Sequence, residues 1–221
     1  MTSFLRKSVV PPLQREGPIH AFTVCVNYSD YLAVTLPKNR KYFKTFYIVT
    51  EESDIQTIEL AHANDCTLIF VDAGLKTAES ATFNLSGFVF EAQKVIHRAH
   101  PHDWICKLDA DIVVNEKIMT LNTAKLDARA IYGAIREIYE KPTDTHGALG
   151  VHDPECILGF FQLYWDKTKF YPKWSKNCSK CDIDFMKQFA RRFTFKNIIC
   201  QHYGPTNTNW DGRVSETWVR A

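Results

Sequence analysis

Residues 104 to 115 read Trp104-Ile105-Cys106-Lys107-Leu108-Asp109-Ala110-Asp111-Ile112-Val113-Val114-Asn115. The first part of the stretch, Trp104 to Leu108, is a buried-type strand run, and two acids follow it directly. Aspartate is a poor strand former. Two carboxylates this close repel one another unless something neutralises them. A divalent cation does so, and Mg²⁺ favours a few carboxylates together with phosphate oxygens and water. A solvated turn with two acids is the plain alternative. A lone Asp-x-Asp pattern is common, and its meaning here depends on what precedes it.

Working back from Asp109, strand and helix patterns alternate. Strands are read at Ile19 to Val26, Phe43 to Val49 and Thr67 to Val71 from their β-branched and aromatic content. Helices are read at Tyr31 to Arg40, at Asp54 to Asn64 behind a Ser53 cap, and at Gly87 to Ala99 behind Asn84 or Ser86. Trp104 to Leu108 is then the fourth strand. Alternation of this kind predicts an α/β layered domain with a mainly parallel sheet. Ligands of such sheets bind at the carboxyl ends of the strands. That rule selects Asn27, Thr50, Glu51 and Asp72, then Asp109 to Asp111, as nucleotide or metal candidates. Asn84 and Lys107 flank the same crevice.

Working forward, Ile131 to Tyr139 and Leu158 to Trp165 read as longer strands. Asp182 to Arg192 reads as a helix with Phe185, Met186 and Phe189 on its core face. Phe193 to Cys200 reads as a last strand, and Gln201 to Ala221 as a covering loop. The expected organisation is a flexible leader over 1–18 and one domain over 19–213. Its halves, 19–115 and 116–213, share a sheet, and 214–221 form a tail.

Composition narrows the function classes. A net charge of +2 over 221 residues gives no electrostatic case for nucleic acid or an anionic membrane. No apolar run approaches the ~18 residues that cross a bilayer, and the first residues lack the apolar centre of a signal peptide. Seven cysteines, an odd number with several inside strand-like segments, suit a reducing, cytoplasmic setting. Cys178 and Cys181 form a single CxxC, and a structural zinc site needs four ligands.

Four motifs in order carry a family resemblance. The stretch from Trp104 to Asn115 resembles the DxD signature of GT-A glycosyltransferases. Gly159-Phe160-Phe161-Gln162-Leu163 is similar to the strand that leads into their acceptor site. Cys181-Asp182-Ile183-Asp184-Phe185 resembles an acidic helix start, often Glu-Asp-x-Asp-Phe in the family; this sequence departs at Cys181, where many relatives have Glu. Gln201-His202-Tyr203-Gly204-Pro205, followed by Asn209-Trp210 and Gly212-Arg213, resembles the histidine loop of small bacterial and large-DNA-virus glycosyltransferases. Together the match covers most of Ile19 to Arg213.

The resemblance implies a GT-A fold, Rossmann-like, with a central mixed sheet flanked by helices. It also implies Mn²⁺ or Mg²⁺ held by Asp109, Asp111 and His202. The donor would be a nucleoside diphosphate sugar, with UDP- and dTDP-sugars as guesses. It would lie against Asn27, Thr50, Glu51, Asp72, Asn84, Lys107, Asp109 and Ala110, with Asn209 and Arg213 closing over the diphosphate. A glycan or other hydroxyl acceptor would lie near Gly159, Tyr164, Trp165 and Trp174. Asp182 is the expected base of an inverting transfer, with Asp184 as alternative; a carboxylate at a helix start is kept ionised by the helix dipole. A nucleotidyltransferase is the main rival. It usually carries a Gly-rich loop after strand one, and Asn27-Tyr28-Ser29-Asp30 contains no glycine. A non-catalytic binding domain of the same fold is the other.

Overall fold

Ile19–Val24 (β1) is buried along almost its whole length and pairs in parallel with Phe46–Thr50 (β2) on one side and Trp104–Asp109 (β4) on the other. Thr67–Phe70 (β3) extends the parallel set beyond β2. Chain order runs outward from β1 to β2 to β3, then returns to the other flank of β1 through β4. This reversal leaves a crevice at the carboxyl ends of β1 and β4, the place where ligands of open α/β sheets sit. The computed structural model describes residues 11–77, 81, 83–150, 156–174 and 178–204.

The remaining strands are Ile112–Val114 (β5), Ala130–Tyr139 (β6), Ala148–Leu149 (β7), Phe161–Tyr164 (β8) and Arg191–Tyr203 (β9). The sheet order is β3-β2-β1-β4-β8-β6-β9-β5, with β7 on β6, so both halves of the chain share one mixed, mainly parallel sheet. β8 runs antiparallel to β4 and β6, and β5 antiparallel to β9. Ser29–Asn39 (α1) and Ile55–Ala63 (α2) cover one face, where Leu32, Leu36 and Ala61 join Trp104, Cys106 and Leu108. Leu85–Ala99 (α3) and Cys178–Lys187 (α4) cover the other, where Phe88, Ile96, Phe185 and Phe189 meet Phe22, Ile105 and Tyr164.

Several boundaries differ from the sequence expectation for local reasons. The α2 cap is Asp54, whose carboxylate accepts from the Thr57 N–H at 3.2 Å, rather than Ser53. The same carboxylate accepts from the Asn27 N–H at 2.7 Å and the Thr50 hydroxyl at 3.3 Å, so one residue caps a helix and pins the loop after β1. Asn27 itself adopts φ 54°, a left-handed conformation that asparagine tolerates.

α4 opens at Cys178, so Asp182 lies inside the helix and not at its start. The expected helix end at Arg192 belongs to β9, which continues through Tyr203 and takes His202 out of the expected loop and into a strand. β9 also bulges: Ala134 faces Phe195, but Ile135 faces Ile199. Bulges re-aim a strand, and beyond this one β9 pairs with β5, setting His202 opposite Ile112. Residues 11–18, expected as a leader, are bonded to the body through Leu13 to Asp127 and Ala128, Gly17 to Thr123, and the Arg15 carbonyl to the Trp104 indole.

Asn84 caps α3 through the Gly87 N–H at 3.1 Å, and its amide reaches the carbonyls of Leu75 and Lys173. It is buried, so removing it strands donors and acceptors together. Asn84→Ala is expected to lower unfolding free energy by about 1–2 kcal/mol in urea denaturation.

Candidate active site

The crevice between β1 and β4 is closed at its floor by one contact set. Tyr28, after β1, donates its hydroxyl to Asp111 Oδ2 at 3.0 Å. His202, from β9, approaches the same oxygen through Nε2 at 3.2 Å. Asp111 therefore joins two distant parts of the chain to its own. Burial works to raise the Asp111 carboxyl, but the His202 charge, its hydrogen bond and the Tyr28 hydroxyl outweigh it and hold the group below the usual carboxylate range. Burial works to lower His202, and the Asp111 charge and hydrogen bond reverse it, so the imidazole lies above its ordinary value.

Asp109 behaves differently. Burial raises its carboxyl; Lys107 opposes this and the neighbouring Asp111 adds to it, leaving the net shift upward. Its carboxylate is engaged by the Lys107 ammonium. Lys107 is buried, and burial alone would lower it; the Asp109 charge and hydrogen bond, helped by Asp182, carry the net shift upward. The ammonium also donates to the Gly159 carbonyl at 2.7 Å.

Gly159 joins this pair to Asp182, for its N–H donates to Asp182 Oδ2 at 2.7 Å. The other Asp182 oxygen accepts from the Ile183 N–H at 2.9 Å. Burial raises the Asp182 carboxyl, against the Gly159 hydrogen bond and Lys107. The environment of this acid is thus set by desolvation, not by a helix start. Asp184 is exposed and stands 4.0 Å from Lys187. Gln162 supports the same corner, donating to the carbonyls of Ile157 and Asp182 and accepting from Tyr171.

A Cβ at Gly159 would lie 2.9 Å from the Asp182 Cβ, closer than such atoms approach. Gly159→Ala is expected to push Asp182 off its hydrogen bond, with a loss of about 1–3 kcal/mol in stability. Thermal and urea unfolding measure it.

The other expected site residues divide by position. Ala110 is buried between the two acids, and its carbonyl accepts from Thr35. Thr50 is buried and committed to Asp54; Glu51 is buried beside Lys76 at 3.4 Å; Asp72 is exposed and accepts from the Gly74 N–H. Asn84 is used as a cap.

Tyr164 corrects the acceptor expectation: its ring is fully buried against Phe185, and its hydroxyl meets Gln93 and His97. Trp165 is corrected for a topological reason. β8 runs antiparallel to β4 with Tyr164 opposite Ile105, so Trp165 emerges at the amino edge of the sheet, away from Asp109. There its indole donates to the His102 carbonyl under Arg15 and Lys167. Trp174 is exposed, next to Lys173, whose carbonyl contacts the cap of α3. Asn209 and Arg213 lie outside the described residues.

Sequence reasoning passed over Tyr28 and Arg136. Arg136, on β6, stacks its guanidinium 5.4 Å from the centre of the Phe160 ring.

Among the described residues, one set of three His, Cys, Asp or Glu side chains has donor atoms all within 4.8 Å of one another: His20, His100 and Asp103. It lies at the amino edge of the sheet, since His20 pairs with Ile105 near the start of β4. The two imidazoles are stacked, with centroids 3.5 Å apart and 20° between planes. Imidazole lone pairs lie in the ring plane, so stacked rings do not converge on one ion. This cluster is a hydrogen-bonded stack on Asp103, supported by Tyr47 at 2.7 Å from His100.

No family model matches the chain, and no curated protein matches it in sequence. Its fold is similar to solved structures at low identity. A mycobacterial protein gives a TM-score of 0.54 at 10% identity, over 86% of this chain and 68% of that one. Glucosyl-3-phosphoglycerate synthase from Mycobacterium tuberculosis, crystallised with Mn²⁺, UDP and glucosyl-3-phosphoglycerate, gives 0.46 at 8%, over 86% and 73%. 4-Diphosphocytidyl-2C-methyl-D-erythritol synthase from Anaerococcus prevotii gives 0.45 at 12%, over 89% and 93%. The likeness to the mycobacterial protein is one of architecture: a mixed α/β layer with a mainly parallel sheet and helices on both faces.

Proposed function

We propose that the chain is a metal-dependent glycosyltransferase of the GT-A kind, moving a sugar from a nucleoside diphosphate sugar to an acceptor hydroxyl with inversion. The observation that carries this reading is the convergence of Tyr28 and His202 on Asp111 at the β1/β4 crevice. Strand ends at a topological switch point are where sugar nucleotides would lie, and here that point is acidic.

Asp111 and His202 bring a carboxylate and an imidazole within 3.2 Å of each other, donors that a divalent cation takes, while Asp109 is held by Lys107 and would have to turn toward them to complete the set. Asp109 is raised by burial and by a second carboxylate, the electrostatic conflict that a dication relieves. Carboxylates with one imidazole suit Mn²⁺, and Mg²⁺ suits the carboxylates with added water. Asp111 and His202, with Asp109, would hold the ion. When bound, it would offset charge developing on the leaving diphosphate.

The chain's own residues supply the rest. Tyr28 fixes the orientation of Asp111. Lys107 balances Asp109 and, through the Gly159 carbonyl, fixes the turn that holds Asp182. Asp182 takes the acceptor proton as general base. Its raised carboxyl brings its basicity closer to what proton abstraction near neutrality needs. Residues Asn27 and Ala110 line the nucleotide side, and Trp174 is the remaining exposed aromatic for the acceptor sugar.

Product analysis tests this. With Mn²⁺ and a panel of UDP- and dTDP-sugars, the protein is expected to release nucleoside diphosphate. Release of pyrophosphate from a nucleoside triphosphate and a sugar 1-phosphate would instead make it a nucleotidyltransferase. Neither product would leave a binding domain.

A further inference from the structure

Two cations of the site are each paired with a carboxylate. Lys107 is paired with Asp109 and His202 with Asp111. Arg136 sits on the same sheet region with no such pair among the described residues. Its Nε is buried and has no hydrogen-bond partner among the described residues. A buried guanidinium nitrogen left without an acceptor is unfavourable by the desolvation of a charged group, so a position that tolerates it is a place where an acceptor from outside would be taken up.

Three features hold the group in place. Arg136 lies opposite Cys200 on β9, and Ile138 opposite His202, so Arg136 and His202 are diagonal neighbours on one face. The guanidinium is stacked over Phe160, the residue after Gly159; the Phe160 carbonyl accepts from the Asp109 N–H at 3.2 Å. Gly150, whose N–H donates to the Arg136 carbonyl at 2.8 Å, leaves room beside the side chain, for a Cβ there would stand 3.1 Å from Nε. Arg136 is also close enough to work against protonation of His202. The head group thus neighbours His202 on one side and packs on Phe160, the residue after Gly159, on the other.

We propose that Arg136 is an anion-binding residue of this site, its guanidinium taking phosphate oxygens of a substrate. A planar guanidinium held by stacking suits two-point contact with phosphate, which a lysine ammonium does not reproduce. The inference rests on the reading above for where the substrate lies, but its chemistry stands apart from the metal. Two sources offer phosphate oxygens: the diphosphate of the donor, and a phosphate on the acceptor.

The test titrates UDP and dTDP with Mn²⁺, and pyrophosphate and inorganic phosphate without metal, into wild type, Arg136→Gln and Arg136→Lys. Unfolding curves check that each variant is folded. Pyrophosphate binding is expected in wild type, about tenfold to a hundredfold weaker in Arg136→Gln and partly kept in Arg136→Lys. An equal loss for the nucleoside diphosphates assigns the donor as source. Weaker inorganic phosphate with unchanged nucleotide affinity assigns an acceptor phosphate. Unchanged binding of all four probes in folded Arg136→Gln, or no binding by wild type, overturns the proposal. Arg136-dependent pyrophosphate binding in a protein that binds no nucleotide would keep it and reject the glycosyltransferase reading, so the two failures are separable.

Discussion

Asp111→Ala is expected to cut nucleoside diphosphate release by more than about a hundredfold at saturating Mn²⁺. Residues that merely orient a metal ligand are worth roughly 10- to 100-fold when removed, and Asp111 is placed as the ligand itself. It is also the residue on which Tyr28 and His202 converge, so the alanine variant frees both partners at once. The fold should survive, because the β5–β9 pairing beside it uses backbone groups: the Asp111 carbonyl accepts from the Tyr203 N–H at 3.0 Å. Loss of release with an unchanged melting temperature supports a metal role. Retained release would remove Asp111 from the chemistry.

Asp182→Asn is expected to lower the transfer rate by about 10²–10⁴-fold, the range for loss of a general base, while leaving nucleotide affinity within about threefold of wild type. The amide is nearly isosteric and its oxygen can still accept from the Gly159 N–H.

Stability gives an independent reading of the same variant. The folded-state carboxyl of Asp182 is raised by burial, so the folded protein disfavours the ionised form relative to the unfolded chain. The sign follows: this group's contribution to stability falls as pH rises from the unfolded value through the folded one. The asparagine variant is expected to be at least as stable as wild type at neutral pH and to lose that advantage in acid. A variant that loses activity and stability together at pH 7 would point to a structural role for Asp182.

The parallel half of the fold was legible because its signals are local. Apolar runs alternate with helical spacing, and the buried run of β4 follows α3 after a polar turn of four residues. The acids at the end of β4 were legible for the same reason, since strand order places them at the ligand edge. The motif singles out Asp182 but not its place inside α4, because the helix begins four residues earlier, at Cys178.

What the sequence hid was non-local. Tyr28 reaches Asp111 across a separation of 83 residues, and His202, expected beside Asp111 only through the family resemblance, reaches it across 91. Arg136 joins them only through the pairing of β6 with a bulged β9. Tyr164 and Trp165 were misplaced because the direction of β8 decides which edge they reach. An aromatic at the end of a strand reads the same whichever way the strand runs.

In the proposed function a divalent cation on Asp111 and His202 would grip a diphosphate at the β1/β4 crevice. Calorimetric titration of UDP and dTDP, with and without Mn²⁺, into wild type and Asp111→Ala tests it most directly. One nucleotide is expected to bind wild type only when Mn²⁺ is present, and this binding is expected to be lost in Asp111→Ala. Nucleotide binding that is indifferent to Mn²⁺ and survives the substitution, or no binding under any condition, would contradict it.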